Sequence, residues 1–266
     1  MNSCSIVLYN NDISEINRCI YSITNSCINL KIYLIDNSEN EQLNVFSDLP
    51  NLKYIKTSHN VGFGAGHNIA INDSIKNNFK YHFIINPDIT FESNVLNEMI
   101  TFMSLNENTA AMMPKILNID GTIQYNQKLL PTPLTIIFKK LKLNNIIRNN
   151  NLYNDLHDLD NQILNIPTLS GCFLLFDLSK LKKVGLFDEN FFLYFEDWDI
   201  SRRMHLYFNT IYYPKVYVTH THFSGANKKF ALFYLFIKSY FHYFNKWGWF
   251  NYVSIKKYNS ITNILK

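Results

Sequence analysis

The stretch Tyr81-His82-Phe83-Ile84-Ile85-Asn86-Pro87-Asp88-Ile89 is an aromatic and β-branched run that stops at a proline and a carboxylate. Such a run predicts a buried strand, and Pro87 ends it because proline cannot donate a hydrogen bond to a sheet ladder. Asp88 would then follow the carboxyl end of the strand, where open α/β sheets bind ligands such as metal ions or sugar hydroxyls. Asn-Pro-Asp is also good turn chemistry, so the stretch alone leaves an ordinary turn open.

Outward from this stretch, strand and helix patterns alternate through the N-terminal half, which predicts a mostly parallel sheet covered by helices. Polar residues follow the predicted strands at Tyr9-Asn10-Asn11 and at Asp36-Asn37-Ser38. The predicted strands are 3–9, 30–35, 52–57, 168–176 and 212–222. The predicted helices are 12–25, 94–105 and 196–207, together with one that follows the strand 52–57 and ends near residue 78. The fold class is therefore α/β, with a Rossmann-like central sheet.

Composition limits the class of protein further. The 266 residues are 47% hydrophobic, enough for one large α/β core or two smaller ones, and the net charge of +4 is too mild for a nucleic-acid binder. The four cysteines, Cys4, Cys19, Cys27 and Cys172, show no Cys-x-x-Cys spacing, which predicts free thiols. We find neither a secretory leader nor an apolar run of about eighteen residues. We therefore expect a cytoplasmic protein that is soluble or peripheral to a membrane.

A glycine-rich loop, Asn60-Val61-Gly62-Phe63-Gly64-Ala65-Gly66-His67-Asn68, precedes the second predicted helix. It is not the dinucleotide fingerprint, which follows the first strand of its fold and has another spacing. Its glycines permit close approach of the backbone to a ligand, and a helix N-terminus favours an anion. A plain turn is the alternative.

Two further clusters carry ionisable side chains. Glu196-Asp197-Trp198-Asp199 follows the apolar run 191–195, so these carboxylates either begin a solvated helix or are buried with raised pKa values, as a general base requires. His220-Thr221-His222 ends a predicted strand. Together with Asp88, these histidines would form an oxygen and imidazole site suited to Mn²⁺ or Mg²⁺, although a core or surface histidine is the ordinary alternative.

In this order, the clusters resemble those of inverting family 2 glycosyltransferases with a GT-A fold, and more narrowly their rhamnosyltransferase-like branch. The similarity spans about residues 3 to 247. The segments that carry it are 6–10, 35–38, 60–68, 85–88, 170–173, 185–188, 195–199 and the histidine segment.

The resemblance implies a role for each matching residue. Asp197 would be the general base, and Glu196, Asp199 and Arg203 would orient acceptor, base and diphosphate. Asp88 and His220 would bind Mn²⁺ or Mg²⁺, and His222 matches the metal-side histidine less well than His220. Asn86 replaces the first carboxylate of the Asp-x-Asp motif, which removes a charge and predicts weaker metal binding. The implied nucleotide-sugar contacts are Tyr9, Asn10, Asp36, Asn37, Gly62, Gly66, Asn68, Asn86, Asp88, Gly171 and Arg203.

The expected activity is inverting transfer of a sugar, L-rhamnose from dTDP-rhamnose, to a lipid-linked or surface-polysaccharide acceptor such as O-antigen or capsule. A UDP-sugar-dependent transferase, a non-catalytic carbohydrate-binding relative and a metal-dependent hydrolase are the alternatives. We expect a GT-A domain over 1–226, with a variable acceptor-side insertion at 115–166, and a helical aromatic and basic extension over 227–266. This extension either binds the inner face of the cytoplasmic membrane or packs against the core or a second copy in a homodimer.

Overall fold

The structure is a computed structural model that describes residues 1–26, 28–39, 49, 51–124, 126, 128–141, 156–221, 229–250, 255, 258–259 and 262–264. Cys27, His222 and part of the 115–166 segment lie outside the described residues. The predicted free thiols are confirmed for Cys4, Cys19 and Cys172, which are buried.

Helices flank one large sheet. The strands are β1 (Asn2–Leu8), β2 (Leu30–Asp36), β3 (Leu52–Lys56), β4 (Tyr81–Ile85), β5 (Ile89–Phe91), β6 (Thr109–Leu117), β7 (Leu164–Asn165), β8 (Phe173–Asp177), β9 (Asn209–His220) and β10 (Asn263–Ile264). The helices are α1 (Ile13–Thr24), α2 (Phe63–Lys76), α3 (Val95–Leu105), α4 (Pro133–Lys140), α5 (Leu178–Val184), α6 (Glu196–His205) and α7 (Lys229–Trp247), with a 3₁₀ turn at His157–Leu159. The predicted α/β class is confirmed.

The strand order is β10-β7-β9-β6-β8-β4-β1-β2-β3, with β5 paired to β9 outside this path. Strands β3, β2, β1 and β4 run parallel to their neighbours, as the alternating sequence pattern predicts. The other half is mixed, because β8 pairs antiparallel with both β4 and β6 whereas β6 and β9 are parallel. The parallel character therefore holds for the N-terminal half of the sheet.

Local sequence explains where the central elements form. All five residues of β4 are buried, because helices cover both faces of this part of the sheet. Helix α1 begins after Asp12, whose carboxylate accepts a hydrogen bond from the amide of Ser14, and it buries an apolar stripe that includes Ile16, Ile20 and Ile23.

Strand β6 was not predicted, because Pro114 within it is unusual for a strand between two others. The register between β6 and β9 shifts next to Pro114, and this irregularity accommodates the proline. The predicted insertion at 115–166 consequently begins inside β6.

Helix α7 packs against the domain through an aromatic cluster. Buried Tyr240, Tyr243 and Phe244 contact Phe191 and Phe195, which directly precede α6. Within the described residues, no helix is long and apolar enough to span a bilayer. Part of the predicted C-terminal extension therefore belongs to the core of the fold.

Candidate active site

Two adjoining cavities form a cleft at the carboxyl ends of β1, β2 and β4. Phe63, Asn86 and Leu193 line both of them. We name the larger one, of about 320 Å³, the strand-end cavity; its other lining residues are Val7, Tyr9, Asn11, Asn37, Asn60, Gly62, Pro87, Asp88, Phe192, Leu232 and Leu235. We name the smaller one, of about 230 Å³, the carboxylate cavity; it is also lined by Gln124, Asn126, Ser170, Gly171, Cys172, Glu196, Asp197 and His220.

Asp36 lies beneath the strand-end cavity and is fully buried. Its carboxylate accepts hydrogen bonds from the Ser38 amide at 2.9 Å and the Tyr54 hydroxyl at 2.6 Å, and Lys56 Nζ lies 3.5 Å away. Burial raises the pKa of Asp36, but these hydrogen bonds and the charge of Lys56 outweigh it, and the net shift is downward. Asp36 is therefore an ionised anchor for the loop that presents its neighbour Asn37 to the cavity.

The glycine-rich loop brings α2 close to neighbouring backbone. Gly62 has a φ of +92°, and a Cβ there would lie 2.5 Å from the Phe192 carbonyl oxygen. A Cβ on Gly66 would lie 2.8 Å from the side chain of Val7 in β1. Only Gly62 of these two lines the cleft, so the second glycine serves helix-to-strand packing.

A buried hydrogen-bonded chain underlies the cleft. It joins β1, α2 and β4 through the side chains of Ser3, Ser5, His67, Ser74 and His82. The ring of His67 packs edge-on against Phe63, with ring centroids 4.5 Å apart. This chain therefore supports an aromatic side chain that lines both cavities.

The direction of each bond in this chain follows from one fixed acceptor. The Ser74 hydroxyl donates to the Ala70 carbonyl oxygen and so accepts from Ser3. Ser3 then accepts from Nδ1–H of His82, which is neutral because burial lowers its pKa to about 3. His82 Nε2 accepts from Ser5, and Ser5 accepts from Nδ1–H of His67. Each histidine therefore has one defined tautomer, with its proton on Nδ1.

Asp88 lies next to His220 because β5 pairs with β9, a pairing that the sequence pattern does not reveal. Ile89 of β5 lies opposite His220 of β9, which places His220 Nε2 3.2 Å from Asp88 Oδ2. Burial lowers the pKa of His220, but the interactions with Asp88 and Cys172 outweigh it and raise that pKa to about 10. Without a metal ion, Asp88 and His220 therefore form an ion pair at neutral pH.

The same residues fit a divalent cation. Oδ1 of Asn86 and Oδ1 of Asp88 are buried without a hydrogen-bond partner among the described residues. The side-chain oxygen Oε1 of Gln124 lies 3.2 Å from His220 Nδ1 and accepts a hydrogen bond from Nδ1–H, which leaves Nε2 as the coordinating nitrogen in the neutral imidazole. Where the chain is described, no three His, Cys, Asp or Glu side chains come together as a ligand set. A cation here would thus depend on Asn86 and on oxygens of a bound substrate.

Asp197 lies at the start of α6, after two strained residues. Tyr194 and Phe195 have φ values of +71° and +69°, a left-handed conformation that costs non-glycine residues free energy and is common at functional sites. Asp197 Oδ2 accepts a hydrogen bond of 2.9 Å from the amide of Gly171. A Cβ on Gly171 would lie 3.1 Å from the Asp197 Cβ, so a larger residue would press on the Asp197 side chain.

Glu196 and Asp197 have opposite surroundings. Glu196 is 4% exposed, and Oε2 has no hydrogen-bond partner among the described residues. Burial, and then the charge of Asp197, raise the pKa of Glu196 to about 8. Burial also raises the pKa of Asp197; the amides of Gly171 and Trp198 stabilise its anion and oppose this shift, but the net shift of the pKa is upward. Burial therefore favours the protonated form of Glu196, whereas two backbone amides favour the ionised form of Asp197.

Asp199 and Arg203 face away from both cavities. Asp199 is fully buried and accepts from Arg203 Nε at 2.9 Å, Lys246 Nζ at 2.9 Å and Trp247 Nε1 at 2.9 Å. Arg203 also donates to the carbonyl oxygens of residues 184 to 186, beyond the end of α5. Both residues join α6 to its neighbouring helices.

The cleft thus brings together nine of the residues that the sequence singled out: Tyr9, Asn37, Gly62, Asn86, Asp88, Gly171, Glu196, Asp197 and His220. Six others lie outside its lining: Asn10, Asp36, Gly66, Asn68, Asp199 and Arg203. Of these, Asn10 has a φ of +55°, Asn68 bonds to Phe187 and Glu189, and Asp199 and Arg203 pair with each other. The prediction for His222 falls outside the described residues. Sequence reasoning missed Gln124, which lies on a loop with no motif to mark it.

Solved structures share this architecture. The structure of S. aureus TarS residues 1–349 superposes with a TM-score of 0.58 at 16% identity, covering 83% of this chain and 60% of that solved chain. GalNAc-T7, solved with UDP, GalNAc and Mn²⁺, gives a TM-score of 0.63 at 15% identity, covering 83% of this chain and 43% of its own. The fold and its strand-end cleft therefore define a protein of the GT-A class.

The sequence comparison is more specific. The model of glycosyl transferase family 2 matches residues 3–185. The chain belongs to glycosyl transferase family 2. The low-salt glycan biosynthesis hexosyltransferase Agl10 of Haloferax volcanii is 23% identical over 204 residues, which cover 76% of this chain and 62% of that relative. The chain thus spans somewhat less than two thirds of the length of this relative.

Proposed function

We propose that the protein transfers a sugar from a nucleotide-sugar donor to an acceptor hydroxyl, with inversion at the anomeric carbon. The observation that carries this proposal is the position of Asp197, which lines the carboxylate cavity and accepts a hydrogen bond of 2.9 Å from the Gly171 amide. Asn86 joins this cavity to the strand-end cavity that holds Asp88. A base and a diphosphate site can thus act on opposite sides of one sugar.

In this proposal Asp197 accepts the proton of the acceptor hydroxyl while that oxygen attacks the anomeric carbon. The bond from the anomeric carbon to the diphosphate oxygen breaks, and its electron pair leaves with the nucleoside diphosphate. A divalent cation held by Asp88 and His220 would supply positive charge to that leaving group. Glu196, protonated beside the base, leaves a single charge in the cavity and can donate a hydrogen bond to the acceptor.

For the donor we propose dTDP-rhamnose, and for the protein a place in the rhamnosyltransferase-like branch, on the basis of the ordered motifs in the sequence. A UDP-sugar is the second candidate, because TarS was solved with UDP-GlcNAc at a TM-score of 0.59 and GalNAc-T7 with UDP. Tyr9, Asn37 and the apolar residues around Pro87 would surround the nucleotide in the strand-end cavity. A non-catalytic role would leave the Asp197 side chain in the carboxylate cavity without a purpose.

For the acceptor we propose a lipid-linked or surface-polysaccharide sugar, met at the inner face of the cytoplasmic membrane. The glycan biosynthesis role in the name of the Haloferax relative supports this class. The segment 115–166 would contact the acceptor, because Gln124 and Asn126 line the carboxylate cavity.

The test is release of nucleoside diphosphate from dTDP-rhamnose, UDP-glucose and UDP-GlcNAc, with a GlcNAc-diphosphate-lipid analogue and either Mn²⁺, Mg²⁺ or EDTA. Asp197→Asn should lower kcat at least about 10²-fold, the typical contribution of a general base. Glu107→Gln, at an exposed glutamate on a loop outside the cleft, is the matched control and should retain wild-type turnover. The proposal is wrong if no donor is turned over, or if Asp197→Asn is as active as the control.

A further inference from the structure

The first half of α7 is apolar but not buried. Phe230 is 86% exposed, Phe233 47% and Tyr234 64%, and no residue from 230 to 238 is buried. In the second half, Tyr243 and Phe244 are almost completely buried in the aromatic cluster described above. The packing that explains the second half of the helix therefore does not explain the apolar first half.

Helix α4 extends this uncovered surface. An apolar groove of about 220 Å³ lies between the two helices, lined by Ile136, Ile137, Lys140, Leu141, Phe233, Phe236, Ile237, Tyr240 and Phe241. Leu134, Ile137 and Leu141 are 40% to 61% exposed. We name the exposed side of these residues, with Phe230 and Tyr234, the α4–α7 face. An apolar patch of this kind is typical of a surface that binds a partner or a membrane.

Within the two described helices, the charged residues on this face are all positive. Neither Pro133–Lys140 nor Lys229–Trp247 contains an acidic residue. Lys140 ends α4, and Lys238 is exposed on α7. Lys140 Nζ lies 4.5 Å from the ring centroid of Phe236 and 5.9 Å from that of Phe233, so cationic and aromatic groups alternate on the surface. Aromatic side chains mixed with lysines are characteristic of helices that lie in the interface of an anionic bilayer.

We propose that the α4–α7 face binds the surface of an anionic phospholipid bilayer, with its lysines at the headgroups and its groove against the hydrocarbon. Leu232 and Leu235 of the same helix line the strand-end cavity, so a bilayer bound here would lie beside the cleft. This inference rests on the proposed function in one respect: binding to the bilayer would give the protein access to a lipid-linked acceptor. It adds α4 to the C-terminal extension as part of the contact.

The test is flotation of the full chain with vesicles of phosphatidylglycerol and phosphatidylcholine in equal parts, against vesicles of phosphatidylcholine alone. The wild type should float with the anionic vesicles and lose binding in high salt. Lys140→Gln/Lys238→Gln should weaken the partition coefficient about thirtyfold, because each lysine at an anionic surface contributes about 1 kcal/mol. The matched control is Lys182→Gln/Lys183→Gln, two exposed lysines in the last turn of α5, and it should float as wild type does.

A second pair of variants tests the apolar part. Phe233→Ser/Phe241→Ser should lose flotation, whereas Tyr21→Ser/Tyr207→Ser, which removes two even more exposed aromatic rings elsewhere, should not. Nucleoside diphosphate release with a water-soluble acceptor should be unchanged in all four double variants, two on the face and two controls. The transfer assay therefore tests the proposed function, and the flotation assay separately tests membrane binding. Equal flotation of face and control variants would overturn the proposal. So would a wild-type dimer in solution that only the face variants dissociate, because the face would then bind a second copy.

Discussion

Replacing Glu196 by glutamine should change how the free energy of unfolding depends on pH. The Glu196 carboxyl is almost completely buried, and its pKa is raised from 4.5 to about 8. Between these two values the folded protein holds a proton that the unfolded chain releases. The contribution of Glu196 to the free energy of unfolding of the wild type should therefore fall as the pH rises from 4.5 to 8, and it should be constant above that pH. Glutamine resembles the protonated acid and removes this dependence.

The magnitude follows from the pKa shift. At 1.36 kcal/mol for each pH unit, the shift corresponds to up to roughly 5 kcal/mol in the free energy of unfolding. Glu196→Gln should be about as stable as wild type at the acid end of this range. At the alkaline end it should be more stable by several kcal/mol. Such a gain is typical where a protein keeps a destabilising group for its function.

Urea unfolding of both proteins across this pH range measures the difference directly. Glu107→Gln, at an exposed glutamate on a loop, is the control and should differ from wild type by a constant amount. A difference between wild type and Glu196→Gln that does not change with pH would refute the reasoning. It would mean that Glu196 is ionised in the folded protein, and that Asp197 is not the single charge in the carboxylate cavity.

Three further changes test the surroundings of the cleft. Gly171→Ala places a Cβ against Asp197, and we expect a loss of about 1–3 kcal/mol in stability and a lower kcat, measured by urea unfolding and by nucleoside diphosphate release. Wild-type kcat in this variant would contradict the role of the close approach. Asp88→Asn should lower the pKa of His220 from about 10 towards its ordinary value, measured by NMR titration of the ring; an unchanged pKa would mean that Asp88 is not its partner. Ser5→Ala leaves two buried histidine nitrogens unpaired and should cost about 1–3 kcal/mol in urea unfolding, whereas a neutral result would show that the hydrogen-bonded chain is not formed.

The parallel half of the sheet and most of the cleft follow from local sequence patterns. Apolar runs that end in polar residues identify β1, β2 and β4, and parallel strands bring their carboxyl ends to one edge. The approach of His220 to Asp88 could not be predicted in this way. It depends on β5, whose three residues are too short to show a pattern, and on its antiparallel pairing with β9.

The positions of Asp199 and Arg203 do follow from the sequence once α6 is known to be a helix. Residues two apart on a helix point about 200° apart, since each residue turns the helix by about 100°. If Asp197 lines the carboxylate cavity, Asp199 must face away from it. Arg203 stands four residues after Asp199 and therefore shares its face, where the two form an ion pair. The motif alone does not distinguish a carboxylate that contacts substrate from one that holds its helix in place.

The contacts of Asp199 also determine how membrane binding has to be tested. Lys246 and Trp247 of α7 donate to this buried carboxylate, and Lys246 also pairs with Asp188 at 2.6 Å. A truncation that removes α7 would remove Lys246 and Trp247 and leave Arg203 as the described partner of Asp199. It would also expose the aromatic cluster around Phe195. Loss of one partner of a buried ion pair typically costs about 3–5 kcal/mol. A truncated chain that failed to bind vesicles would thus be a destabilised protein, and only substitutions on the exposed side of α7 separate the membrane contact from the fold.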